Sequence, residues 1–121
     1  MSIIFIRNKN MKTSNIVKSF VALGHDTRLA IYNLLMTKGE KGIPAGEVAA
    51  QLDIPGATLS FHLTSLADAK LIGSRREGRT IYYFTKQKRV KKLIKYLSDN
   101  CYQIPNNDLD ASDIPKIDTE D

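Results

Sequence analysis

The sequence holds a single cysteine, Cys101, which excludes a disulfide framework within the chain and an all-cysteine zinc site built from one subunit. Its two histidines, His25 and His62, both lie far along the sequence from Cys101. With so few soft ligands, neither a dedicated metal site nor a cofactor is expected. No stretch approaches the roughly 18 consecutive apolar residues of a membrane span, so no membrane partner is expected. The longest early apolar run, Ile3 to Ile6, is too short for the hydrophobic region of a secretory leader, and a cytoplasmic location is the expectation. Also missing are a Ser/His/Asp set, a Cys/His neighbourhood, a glycine-rich phosphate loop and a dinucleotide fingerprint. An enzyme is therefore not expected.

What is present is charge, unevenly placed. The 121 residues carry 18 Lys+Arg against 13 Asp+Glu, a net of +5. From Tyr102 onward there are six acids and one base, Lys116, so residues 1–101 keep 17 bases and seven acids. A body at +10 with a tail at −5 points to a polyanionic partner, nucleic acid first. The length suits one domain. Pro105, Pro115 and the absence of helical periodicity read as an acidic disordered tail over 102–121. Residues 1–11 are expected to be a flexible N-terminal segment, with Met11 an alternative start, which leaves 12–101 as the folded domain.

Hydrophobic spacing divides that domain into five helices and one hairpin. A first helix is expected over 14–23, with Ser14 as N-cap and Gly24 as its stop. A second starts near Asp26 and ends at Lys38-Gly39. A short third helix covers 45–52, followed by a turn at Asp53-Ile54-Pro55-Gly56. The fourth covers 57–70, with Leu59, Leu63 and Leu66 on its inner face. The period then changes: 71–76 and 79–84 are β-rich runs joined around Glu77-Gly78. A last helix over 88–101 carries Val90, Leu93, Ile94, Leu97 and Cys101 on one face and lysines on the other.

A short helix, a tight glycine-containing turn and a longer helix make a helix-turn-helix, and the basic hairpin behind it makes the pattern a winged helix. The fold expected is thus mainly α with a small β-hairpin. With the leucines turned inward, Ala57, Thr58, Phe61, Thr64 and Ser65 fall on the outer side of the fourth helix, flanked by Ser60 and His62, and Gly56 of the preceding turn joins them in the expected DNA-reading stretch. Hydroxyl groups there can bond phosphate oxygens or base edges. At the hairpin tip, Arg75, Arg76 and Arg79 crowd around Gly78, a grouping that calls for an anion such as a phosphate or the minor groove.

Three blocks resemble the ArsR/SmtB family of dimeric winged-helix repressors. Ala22-Leu-Gly-His-Asp-Thr-Arg-Leu-Ala-Ile31 is similar to the family's opening, Ala57-Thr-Leu-Ser-Phe-His-Leu63 to its recognition helix, and Leu71-Ile-Gly-Ser-Arg-Arg-Glu-Gly-Arg-Thr-Ile-Tyr-Tyr83 to its wing. The resemblance implies a homodimer made by the first and last helices, through Ile16, Phe20, Val90, Leu93, Ile94, Leu97 and Cys101. It also implies a sequence-specific repressor bound to an inverted-repeat operator in double-stranded DNA and released by an effector.

The family's usual effectors are metals or metalloids, and the sequence departs from those sites. The stretch Gly42-Ile-Pro-Ala-Gly-Glu-Val48, where one family site has a cysteine pair, has none. Residues 90–100 contain no histidine and one acid, Asp99. The nearest likeness is to arsenite sensors, some with adjacent cysteines at the end of the last helix; here that place reads Asn100-Cys101-Tyr102. The expectation is a repressor without a standard metal site. Two alternatives stay open: an arsenite- or thiol-responsive repressor sensing through Cys101, and a winged-helix protein-interaction module without DNA binding. An unidentified small-molecule or redox effector stays open with them.

Overall fold

The computed structural model describes residues 11–99. Cys101 and the segments 1–10 and 102–121 lie outside the described residues, and so do the expectations placed on them.

Helix α1 (Thr13–Leu23) buries Ile16, Ser19 and Ala22, one residue per turn. Its N-cap position is Lys12, without a side-chain cap; Ser14, the expected cap, sits inside the helix. Met11, expected in a flexible segment, is instead buried in the core, which draws the start of α1 inward. Helix α2 (Asp26–Met36) starts after His25, whose Nδ1 accepts the Thr27 N–H at 3.2 Å. The Asp26 carboxylate accepts the same N–H at 2.7 Å, next to the positive end of the helix. A 3₁₀ turn (Gly39–Lys41) leads into strand β1 (Ile43–Pro44), helix α3 (Ala45–Leu52) and helix α4 (Gly56–Asp68). Strands β2 (Ile72–Glu77) and β3 (Thr80–Thr85) follow, and helix α5 (Gln87–Asp99) completes the described fold.

The three strands form one antiparallel sheet in the order β1-β3-β2. Strand β1 is an addition to the hairpin expected from sequence. Two residues ending in proline show no alternation to read, and pairing of Ile43 with Tyr83 makes the strand. Around this sheet Ile31, Leu35, Ile43, Val48, Leu59, Leu66, Leu71 and Ile72 are fully buried. They join α2, α3, α4 and the strand bases into one core, and fix α4 by its leucine stripe.

Two helix ends set the geometry that matters for function. After α3, Asp53 takes a left-handed conformation (φ 56°, ψ 50°), and the Ile54 N–H reaches the Ala49 carbonyl at 3.0 Å. That compact stop lets Pro55 open α4 at once. At the far end of α4, Lys70 is left-handed (φ 64°), the Leu71 N–H bonds the Leu66 carbonyl at 3.0 Å and the Lys70 N–H bonds Ala67 at 2.9 Å. This Schellman arrangement turns the chain directly into β2, so the wing stands in fixed relation to α4.

Candidate nucleic-acid interface

Helix α4 presents two faces. Leu59, Leu63 and Leu66 are buried, while Gly56, Ala57, Thr58, Ser60, Phe61 and Thr64 are exposed and Ser65 is half-buried. Its N-cap is Pro55, without a side-chain cap, and nothing lies within 4 Å of where a Gly56 Cβ would be. The first turn thus carries no side-chain cap, and Gly56, Ala57 and Thr58 are exposed at the positive end of the helix. Phe61 is 65% exposed, an apolar ring among hydroxyls.

His62, expected on the flank of this face, is 6% exposed and belongs to the interior. It lies three residues after Leu59 and four before Leu66, on the inner side of the stripe. Its Nδ1 is 3.3 Å from an Arg28 terminal nitrogen, and its ring stands 4.9 Å from that of His25. Arginine has no acceptor, so Nδ1 accepts and the ring is neutral. Burial first, then the charges of His25 and Arg28, push its pKa below the ordinary histidine value. Arg28 is itself held by the Ala22 carbonyl at 2.7 Å. His62 thus ties α4 to the start of α2 and is not turned toward a groove.

At the wing tip Glu77 pairs with Thr80, leaving Gly78-Arg79 as a two-residue loop. Gly78 has φ +65°, which glycine adopts without steric cost. Arg76 and Arg79 are exposed. Arg75 is not free with them. Its Nε donates to Glu77 at 2.6 Å, its two terminal nitrogens to the carbonyls of Glu40 and Lys41 at 2.9 and 2.7 Å, and its guanidinium lies 5.0 Å from the Tyr82 ring centroid. The anion required by the arginine cluster is, for Arg75, Glu77 of the same strand. Arg75 is a latch between wing and 3₁₀ turn, and the expected three-arginine tip reduces to Arg76 and Arg79.

The residues expected at a dimer interface separate into two sets. Ile16 and Leu93, the latter 3% exposed, are buried in the chain's own core, and Val90 packs against it. Phe20, Leu97 and Ile94, the last 59% exposed, are on the surface. Val17 and Val21, not singled out from the sequence, are exposed beside Phe20 at helical spacing. Their signal was legible: α1 has too many apolar residues for one buried face. Among the described residues, no three His, Cys, Asp or Glu side chains gather as a metal site, and no helix is long and apolar enough to cross a membrane.

Comparison with known proteins agrees with this architecture. A helix-turn-helix domain family matches residues 23–75. An uncharacterised HTH-type transcriptional regulator of Methanocaldococcus jannaschii is 34% identical over 80 residues, 66% of this chain and 88% of that protein. An ArsR-like transcriptional regulator from Rhodococcus has a similar structure: TM-score 0.64, 26% identity, 71% of this chain and 78% of that one. The transcriptional regulator HlyU from Vibrio vulnificus aligns with TM-score 0.56 and 32% identity, over 74% of this chain and 91% of that one. Shared helix-turn-helix, shared wing and shared sequence along most of a relative's length make this chain a transcriptional regulator of the ArsR/SmtB family.

Proposed function

We propose that the chain acts as a homodimeric repressor on an inverted-repeat operator. The observation that carries the reading is the uncapped, exposed start of α4, lined with Thr58, Ser60 and Thr64, on the same molecule as a two-arginine wing tip. In this reading α4 enters the major groove by its N-terminal half, with Phe61 packing on thymine methyls. Arg76 and Arg79 hold the flanking backbone or minor groove. Val17, Phe20 and Val21 of α1 with Ile94 and Leu97 of α5 supply the dimer surface. A two-fold interface of this kind makes the DNA target an inverted repeat.

No resident metal enters this mechanism. The two histidine rings stand 4.9 Å apart, with His25 accepting from the Thr27 N–H and His62 buried against Arg28. Regulation, in this reading, acts through an uncharged ligand at the dimer interface or through Cys101. The test is fluorescence anisotropy with operator duplex across salt concentrations, combined with a reporter gene under that operator. A steep loss of binding with salt and reduced reporter output are expected. Binding indifferent to salt, or raised output, overturns the reading.

A further inference from the structure

A groove of about 750 Å³ runs along the wing sheet to the start of α5. Phe84 lies on its floor, across Gly73. A Cβ at Gly73 would sit 2.9 Å from Cε1 and 3.0 Å from Cζ of that ring, so a side chain here would displace it. The walls are cationic. Lys70, Lys86, Lys88 and Lys92 have no ion-pair partner among the described residues. Arg89 donates to the neutral hydroxyl of Ser19 at 3.3 Å, which leaves its charge uncancelled. Glu40 is the one acid on the wall, while Arg75 is balanced by Glu77.

DNA is poorly placed to neutralise these charges. Lys70 follows the C-terminal end of α4, about 20 Å along the helix from the Gly56 end. Phe84 and Lys86 stand at the base of β3, roughly 15–20 Å from the Gly78 tip. A duplex seated on the helix start and the wing tip leaves the groove open. The sequence carries an anion of matching charge. Residues 100–107 are uncharged, and 108–121 hold six acids and one base. From Gln87 to Asp99, α5 is about 18 Å long. Eight extended residues cover about 26 Å, enough to return along it. A spacer of that length would let Asp108, Asp110 and Asp113 reach Lys86, Lys88 and Lys92, with Leu109 and Ile114 interleaved for the face of Phe84.

We propose that the acidic segment 108–121 docks in this groove. Docked there, it screens the basic wall from non-operator DNA and confines productive charge to the α4 start and the wing tip. The choice of occupant rests on the proposed seating of DNA, and the first test of the contact uses no DNA, so the two can fail separately. Amide resonances of the full chain are compared with those of the full-length triple variant Asp108→Asn, Asp110→Asn, Asp113→Asn. Shifts at Gly73, Phe84, Lys86, Lys88 and Lys92 are expected. They should vanish near 1 M salt, where the screening length is about 3 Å. A full-length Lys86→Gln, Lys92→Gln variant should lose the difference between acidic and neutralised segments. With random duplex, the triple variant should steepen the salt slope by about 0.9 for each additional phosphate engaged. Unchanged groove resonances overturn the proposal, as do shifts centred on residues 56–64 and 76–79, which would put the segment on the reading surface.

Discussion

Replacing Arg75 separates a latch from a DNA contact. In the structure its guanidinium makes one bond to a carboxylate and two to backbone carbonyls, and lies over Tyr82. At a partly exposed site the ion pair with Glu77 contributes about 0.5 kcal/mol. Each carbonyl bond contributes roughly 0.5–1 kcal/mol after competition from water. The aromatic contact adds about 0.5 kcal/mol. Arg75→Ala should therefore cost about 2–3 kcal/mol, enough to lower the melting temperature by roughly 10 °C in a fold of this size. Arg75→Lys should recover little of it, because an ammonium cannot span three acceptors in a planar fork. Arg76→Ala and Arg79→Ala should melt within about 0.5 kcal/mol of the parent, yet each should lower the salt slope of DNA binding by about 0.9 per chain. Thermal melts and anisotropy titrations on the four variants decide the matter. An Arg75→Ala protein with unchanged melting and a reduced salt slope, rescued by lysine, refutes the latch.

Three further outcomes follow from the geometry. Phe61→Ala, at an exposed position, should leave stability unchanged and weaken operator binding more than random-duplex binding; equal losses in a competition titration contradict base contact. The pKa of His62 is held below its unfolded value by burial, His25 and Arg28, so the unfolded chain takes the proton first. Stability should be full above about pH 6.5 and fall as pH drops below it, and His62→Gln should flatten that profile in chemical denaturation. Gly42 has φ 77° and a Cβ there would meet the Tyr83 carbonyl oxygen at 2.7 Å, so Gly42→Ala should cost roughly 3 kcal/mol, read as a lower urea midpoint.

The elements legible from sequence were those with a repeating signal. The leucine stripe of α4 and the change of period after Leu71 are one-dimensional patterns, and both elements form where the pattern puts them. What could not be read depends on partners distant in sequence. Strand β1 exists because Ile43 meets Tyr83. His62 reads as a flank residue until Arg28, 34 residues earlier, is seen to hold it. Arg75 reads as one arginine of three until the carbonyls of Glu40 and Lys41 appear within its reach. The apolar stripe of α5 showed a buried face without saying buried against what: Leu93 faces the chain's own core and Ile94 faces outward.

The central claim is that two copies of α4, related by a two-fold axis, read one duplex. Selection by the purified full-length protein from a pool of randomised duplexes tests it directly. Two half-sites in inverted orientation should be enriched, their centres one helical turn apart, about 10–10.5 base pairs, or a multiple of it. A single unrepeated half-site, or a pool that stays random while binding persists, would contradict the claim.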